Sequence, residues 1–222
     1  MIIANNLSLV YPDKTQALID VDLNIKAGEL VYITGPSGSG KTSLLKLFMG
    51  IEYPSTGSLS VMGKPIKNNS KGNIRKIRRN IGPVFQEFKL IKGRTSLENV
   101  MIGMRFLGLT PKCIKKEANE ALEKVGLGHK KLSKVEHLSW GETQRVAIAR
   151  AVARKPSLIL ADEPTGNLDY DNAINILGLL KSFRNENTTV IITTHATHLI
   201  MEEQNATFIS VDGGRIRIER KG

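Results

Sequence analysis

The sequence predicts an α/β fold with a mainly parallel core sheet. Three short runs rich in β-branched residues have the length and apolar character of fully buried strands: LVYITG at 30–35, SLILAD at 157–162 and TTVIITTH at 188–195. The stretches SLLKLFMG and DNAINILGLLKSFRNE, which follow the first two runs, have helical patterns. Strands and helices that alternate in this way indicate a doubly wound arrangement.

Two further parts are predicted around this core. Residues 1–25 and 57–66 indicate a small antiparallel β subdomain, and TFISV and RIRIE, separated by Asp212-Gly213-Gly214, indicate a terminal hairpin. Between Phe88 and Pro156 the pattern is helical, with one helix expected from Cys113 to Leu127. We therefore expect one domain over 1–222, with a catalytic core and β subdomain at 1–87 and 157–222 and an inserted helical subdomain at 88–156.

Composition narrows the function classes. The chain has 222 residues with 41% hydrophobic content, shows no secretory leader, and has no run long enough to cross a membrane. It is expected to be neither secreted nor membrane-spanning. The lone Cys113 has no Cys or His at metal-ligand spacing, so it is interpreted as an incidental thiol and no metal cluster is expected.

The net charge of +11 would attract nucleic acid, anionic lipid or an acidic partner. Much of this charge lies at 64–79, where no aromatic residue is available to stack on bases, which disfavours nucleic acid as a partner. A solvated basic face is the simpler interpretation of the segment, and an anionic headgroup site is the alternative. The cations are Lys64, Lys67, Lys71, Arg75, Lys76, Arg78 and Arg79.

The segment GPSGSGKT at 35–42 matches a phosphate-binding loop between a predicted strand and a predicted helix. Its glycines allow backbone N–H groups to face phosphate oxygens, Lys41 would reach the β- and γ-phosphates, and Thr42 would ligate Mg²⁺. ATP and Mg²⁺ are the expected ligands. The predicted nucleotide contacts in this segment are Gly35, Pro36, Ser37, Gly38, Ser39, Gly40, Lys41, Thr42 and Ser43.

Polar residues after the other predicted strands supply candidate catalytic groups. Asp162 would hold Mg²⁺, and Glu163 would activate the attacking water as general base. Gln86, after IGPVF, would orient water and contact Mg²⁺, and His195 would face the γ-phosphate. These residues predict an ATPase.

The segment LSWGE at 138–142 begins another predicted helix. Ser139 is a natural N-cap and Glu142 follows three residues later, which indicates a capping box. The positive end of this helix predicts a second phosphate site. Nucleotide sandwiched between two protein surfaces is therefore expected.

Together these motifs resemble the ABC ATPase family over essentially the whole chain. Gln86, LSWGE, LILADEP, the turn Asn167-Leu168-Asp169 and His195 follow the phosphate loop in the family's order. The resemblance implies a head-to-tail homodimer on ATP. It also implies that Ser139, Gly141 and Glu142 approach nucleotide bound to the other chain, that Tyr11 stacks on adenine, and that Asp169 lies at the dimer seam.

Within the family, ADEPTGNLD resembles the group that contains the lipoprotein exporter LolD, the macrolide exporter MacB and the cell-division ATPase FtsE. The stretches GIEYPSTG, RRNIGPVFQEFKLIKGRTSLENV and HATHLI resemble the FtsE branch. This implies a cytoplasmic subunit held at the inner face of the cell membrane by a partner similar to FtsX. An exporter ATPase, and a soluble ATPase that binds nucleic acid, are the alternatives.

Two residues depart from the family pattern. Trp140 stands where a glycine is usual, and Ala196 stands where an aspartate usually follows the histidine. A bulky indole beside the second phosphate site would hinder closure or pack on the partner chain. The expected consequence is a slow enzyme.

Overall fold

The computed structural model describes residues 1–166 and 168–221. Its contacts divide the chain into two compact units, one formed by residues 1–79 and 184–222 and the other by residues 80–183. The α/β fold with parallel strands at its core is confirmed. The predicted subdomain boundaries at 88 and 156 stay a prediction.

Among its described residues, the first unit contains two groups of strands and two α-helices. These elements are β1 (Ile2–Val10), β2 (Gln16–Ile25), β3 (Leu30–Thr34), α1 (Lys41–Phe48), β4 (Thr56–Val61), β5 (Lys64–Pro65), α2 (Lys71–Arg79), β8 (Thr189–Thr194), β9 (Ala206–Asp212) and β10 (Arg215–Lys221). The antiparallel group has the order β2-β1-β4-β5, and the other has the order β10-β9-β3-β8, in which β3 is parallel to both β8 and β9.

The predicted elements of this unit are present. The small antiparallel sheet and the terminal β9-β10 hairpin are confirmed. All six residues of β8 and four of the five in β3 are buried, as expected for strands covered on both faces. Tyr32 of β3 stacks on Phe208 of β9 with ring centroids 5.6 Å apart, and its burial raises the pKa of the Tyr32 hydroxyl.

Among its described residues, the second unit contains two parallel strands and four α-helices. The elements are β6 (Ile81–Val84), α3 (Ser96–Ile102), α4 (Pro111–Lys124), α5 (Trp140–Val152), β7 (Leu158–Ala161) and α6 (Tyr170–Ser182). Helices α3, α4 and α5 pack on one another, and α5 packs on β6. The helix expected at 113–127 is α4, which begins two residues earlier because Thr110 caps it and Pro111 fits its first position.

Candidate functional site

The loop between β3 and α1 has a backbone that requires glycine at two positions. Gly35 has φ 144°, and a Cβ atom there would lie 2.1 Å from the carbonyl oxygen of Val211. Gly40 has φ 113°, and a Cβ atom there would lie 2.5 Å from the carbonyl oxygen of Ala17. Because no side chain fits either place, the glycines at these positions set the path of the loop.

Two polar side chains of this loop, those of Ser39 and Lys41, are buried. Lys41 is only 6% exposed, and its Nζ donates to the carbonyl oxygens of Gly35 (2.8 Å) and Pro36 (2.9 Å). The hydroxyl of Ser39 is buried without a hydrogen-bond partner among the described residues. The N-cap of helix α1 is Gly40, which provides no side-chain cap, and no acid lies in the first turn of the helix. A helix start of this kind, with a buried lysine and an unsatisfied hydroxyl, fits a polyphosphate.

Tyr11, predicted to stack on adenine, lies beside the start of α1. Its hydroxyl is 3.0 Å from the hydroxyl of Ser43, and the ammonium of Lys46 lies 5.9 Å from its ring centroid. The structure therefore brings Tyr11 next to the predicted phosphate loop. Adenine stacking itself stays a prediction.

His195 leaves the core sheet beside the phosphate loop. Strands β3 and β8 are parallel, and their last residues, Thr34 and Thr194, are paired. Gly35 and His195, which come next, therefore lie at the same edge of the sheet. The side chain of His195 is exposed. The backbone N–H of Ala196, where an aspartate was expected from the family, donates to the hydroxyl of Thr194 at 3.0 Å.

In the second unit, the candidate catalytic residues also follow the paired ends of two parallel strands. Strands β6 and β7 are parallel with Val84 paired to Ala161, and the N–H of Asp162 donates to the carbonyl of Val84 at 2.9 Å. Gln86, which is exposed, follows β6 by two residues. Glu163 has the unusual φ of 45°, so the chain turns sharply at the predicted general base. Gln86, Asp162 and Glu163 therefore emerge at one edge of this strand pair.

The start of α5 carries the predicted second phosphate site. Its capping box is confirmed: the N–H of Ser139 donates to Glu142 Oε2 at 2.9 Å, and the N–H of Glu142 donates to Ser139 Oγ at 3.3 Å. The Ser139 N–H holds the pKa of Glu142 below its usual range, assisted by Lys130 at 3.7 Å. A Cβ atom at Gly141 would meet nothing within 4 Å, so the surface there is open.

Trp140 packs inside its own unit although it is 45% exposed. Its ring lies against Phe88 with centroids 4.6 Å apart and an interplanar angle of 58°. Phe88 and Lys89 both have positive φ, at 56° and 48°. The indole that replaces the family's glycine is thus anchored on the segment that follows Gln86.

Two residues of α5 that hold the candidate site in place carried no predicted role. Gln144 is completely buried, and its amide donates to the carbonyl of Pro164, next to Glu163. Arg150 donates to the carbonyls of Phe88 (2.5 Å) and Lys89 (2.7 Å), and burial lowers the pKa of its guanidinium. The sequence feature that could have indicated them is that each is a polar residue within the otherwise mostly apolar helical stretch TQRVAIARAV.

The remaining predictions concern α6 and a metal ion. Asp169 caps α6 by accepting from the N–H of Asn172 at 2.9 Å, which lowers the pKa of its carboxyl group. Asn167, part of the predicted turn, lies outside the described residues. No group of three His, Cys, Asp or Glu side chains suited to a metal occurs in the described part of the chain. Hydroxyl, amide and carboxylate oxygens of the kind that Thr42, Gln86 and Asp162 carry suit Mg²⁺, which usually retains waters and phosphate ligands.

With this geometry in place, comparison with known proteins decides the family. The sequence model described as ABC transporter matches residues 18–166. The chain belongs to the ABC transporter family. This ABC protein is an ATP-binding and hydrolysing subunit. No helix among the described residues combines the length and apolar character that a membrane span requires.

Relatives cover nearly the whole ABC subunit. The cell division ATP-binding protein FtsE of Bacillus subtilis is 37% identical over 96% of this chain and 93% of that protein. FtsE of Escherichia coli K12 is 40% identical over 96% of each chain. Among solved structures, the dimeric bacterial ABC transporter cassette MJ0796 has a TM-score of 0.88 and 36% identity, covering 99% of this chain and 98% of that one. The structure of cbiO1 from Clostridium perfringens, part of the ABC transporter complex cbiONQ, has a TM-score of 0.87 and 33% identity, covering 97% of this chain and 86% of that one.

Proposed function

We propose that this chain is the ATPase subunit of an FtsE-like cell-division system, which dimerises on ATP and drives an integral membrane partner similar to FtsX. The observation that carries the proposal is the 37–40% identity to FtsE proteins over 96% of the chain. The match spans both units rather than the phosphate loop alone. The subunit would act in the cytoplasm, at the inner face of the membrane through its partner.

In this proposal the first unit binds the nucleotide. Tyr11 stacks on the adenine, the N–H groups of residues 35–43 surround the phosphates, and Lys41 contacts the β- and γ-phosphates. The buried Ser39 hydroxyl and the uncapped start of α1 support this arrangement. Mg²⁺, held by Thr42, Gln86 and Asp162, would neutralise charge on the phosphates when bound.

Hydrolysis would use the residues that follow strands β6, β7 and β8. Glu163 takes a proton from the attacking water, Gln86 orients that water, and His195 contacts the γ-phosphate. Gln144 supports this role because its bond to Pro164 ties α5 to the loop that carries Glu163. A movement of α5 would therefore also displace the loop that carries Glu163.

A second copy of the chain would complete the site. Ser139, Gly141 and Glu142 of one copy would approach the γ-phosphate held by Lys41 of the other, with Asp169 at the seam. Two solved structures of the MJ0796 cassette are described as dimeric, and one of them is a post-hydrolysis state bound to ADP and Pi. That description, at 36% identity, supports dimerisation of this chain.

The membrane partner would dock beside the segment that follows Gln86. A cavity of about 160 Å³ opens there, lined by Phe85, Lys89, Arg150 and Arg154 among others. Arg150 fixes the backbone of Phe88 and Lys89. A side chain of a partner helix placed in this cavity would act on the same segment that carries Gln86.

Co-expression with a multi-span membrane protein similar to FtsX tests the proposal. We expect a tagged chain to retain that protein in detergent, and ATPase turnover to rise in the complex. Lys89→Glu should break the complex, whereas Lys112→Glu, the same change on exposed α4, should not. A chain that hydrolyses ATP but never retains the membrane protein would contradict the cell-division role and leave the ATPase assignment intact.

A further inference from the structure

The segment from Lys64 to Arg79 forms a basic surface on the first unit. Residues 53 to 86 contain seven cations and no Asp or Glu, and all seven cations lie between 64 and 79. Six of the seven are exposed and Lys64 is half-buried. We call this segment the basic surface.

Helix α2 presents most of its cations away from the protein. Ile74 and Ile77 are buried, and at about 100° per residue they mark the inward side of the helix. Arg75, Lys76 and Arg79 lie on the opposite side. The apolar side of α2 is therefore already packed, and its outer side is a polar surface that offers a partner positive charge.

Two interactions fix α2 on the helix that carries the phosphate loop. Arg78, on the inward half, donates to the carbonyls of Met49 (2.9 Å) and Gly50 (2.8 Å) at the end of α1. A Cβ atom at Gly50 would lie 2.7 Å from Ile74, so the contact is close. These contacts hold α2, which carries five of the seven cations, against the end of α1.

Three cations of the basic surface have no ion-pair partner among the described residues. Within residues 1–166 and 168–221, Lys67, Lys71 and Arg75 take part in no ion pair, and each is exposed. Beside them a cavity of about 490 Å³ opens, lined by Lys67 and by Tyr53, Ser58 and Ser60 among others. Its volume lies within the usual range of small-molecule sites, and its hydroxyls and its cation suit a phosphate-bearing headgroup.

We propose that the basic surface binds an anionic lipid bilayer, with the cavity beside Lys67 receiving a headgroup. Exposed Lys and Arg with no acid among them are the feature that a negatively charged leaflet recognises. Nucleic acid fits less well because no aromatic residue lies between 64 and 79 to stack on bases. This binding is separate from any membrane partner and needs no ATP hydrolysis.

The test is sedimentation of the purified full chain with vesicles, without any partner protein. We expect binding to vesicles that contain phosphatidylserine, little binding to pure phosphatidylcholine, and release by high salt because the charges become screened. The triple variant Lys67→Gln, Lys71→Gln, Arg75→Gln should lower the partition by on the order of 10²-fold, since each cation near an anionic surface contributes about fivefold.

The matched control is Lys112→Gln, Lys115→Gln, Lys124→Gln, which removes three exposed cations from α4. It should retain vesicle binding. Circular dichroism and ATPase turnover should be unchanged in both triple variants. An unchanged spectrum would exclude misfolding as the cause of lost binding, and unchanged turnover would show that the ATPase assignment holds independently. Equal loss in both variants, binding independent of phosphatidylserine, or retention on double-stranded DNA but not on vesicles would overturn the proposal.

Discussion

Helix α1 and the helices of the second unit begin in opposite ways. Each of α3, α4, α5 and α6 has an N-cap side chain that accepts from the backbone three residues on, from Thr95, Thr110, Ser139 and Asp169. The N-cap of helix α1 is Gly40, which has no side chain that could accept a hydrogen bond, and no acid lies in the first turn of the helix. Each of these four helices therefore supplies a side-chain acceptor at its own start, whereas α1 does not.

The difference bears on how the two predicted phosphate sites act. At the N-cap of α1 no side chain competes with a bound phosphate, whereas at α5 Ser139 and Glu142 already satisfy two N–H groups. The Glu142 carboxylate also places negative charge where a phosphate would approach. We therefore expect α1 to supply most of the nucleotide affinity and α5 to contribute only after ATP is bound.

The largest expected effect comes from Glu163→Gln. Loss of the general base should lower ATP turnover roughly 10²-fold or more while ATP binding persists, which traps a nucleotide-bound dimer. Steady-state phosphate release and light scattering with ATP measure the two properties. Glu202→Gln, at an exposed acid outside the helices and strands, is the control and should retain turnover. Near-normal turnover in Glu163→Gln would refute the assignment of this residue.

The trapped variant allows the two helix starts to be compared directly. In the Glu163→Gln background, Lys41→Met should weaken ATP binding roughly 10- to 100-fold, because charge-assisted contacts to phosphate are lost. Ser139→Ala should leave the ATP affinity of the monomer within about twofold but weaken the dimer about tenfold. Titration with a fluorescent ATP analogue and analytical ultracentrifugation measure these properties. If Ser139→Ala greatly lowered the ATP affinity of the monomer, the expectation that α5 contributes only after ATP is bound would be wrong.

Local patterns made the phosphate loop and the strands predictable. The β3, β7 and β8 runs are buried as expected, although each strand ends one residue before the predicted boundary. The capping box at Ser139 was also predictable because both partners lie within four residues. In these cases the residues that determine the structure are neighbours in the sequence.

The contacts that hold the candidate site in place could not be predicted from the sequence and became visible only in the structure. The bond from Gln144 to Pro164 joins residues 20 apart, and Arg150 reaches Phe88 across 62 positions. The contact of Trp140 with Phe88 spans a similar gap, so the sequence identified the unusual indole but not its neighbour. Neither periodicity nor spacing specifies such pairs, because they depend on how α5 packs against β6.

A smaller effect is expected from Trp140→Gly, which restores the residue usual in the family. Removing the indole should free the start of α5 and raise turnover roughly 3- to 10-fold, if closure limits the rate. It should also lower the free energy of unfolding by about 1–2 kcal/mol, because the Phe88 contact is lost and glycine is flexible in a helix. Trp140→Phe keeps an aromatic ring against Phe88 and is the control. Unchanged or lower turnover in Trp140→Gly would show that the indole does not restrain the site.

The smallest effect concerns the charge that completes the cap of α5. The pKa of Glu142 is lowered in the folded protein by the N–H of Ser139, so its charge stabilises the fold above its ordinary pKa, and this contribution is lost as pH falls through the folded value. Glu142→Gln should therefore lower the free energy of unfolding by about 0.5 kcal/mol near pH 7. Near pH 4 or below, urea denaturation should show a smaller difference between the two proteins. Glu186→Gln, at an exposed acid that caps no helix, should show no such pH dependence. If Glu142→Gln also strengthened the ATP-bound dimer, the carboxylate would be the group that keeps α5 a weaker phosphate site than α1.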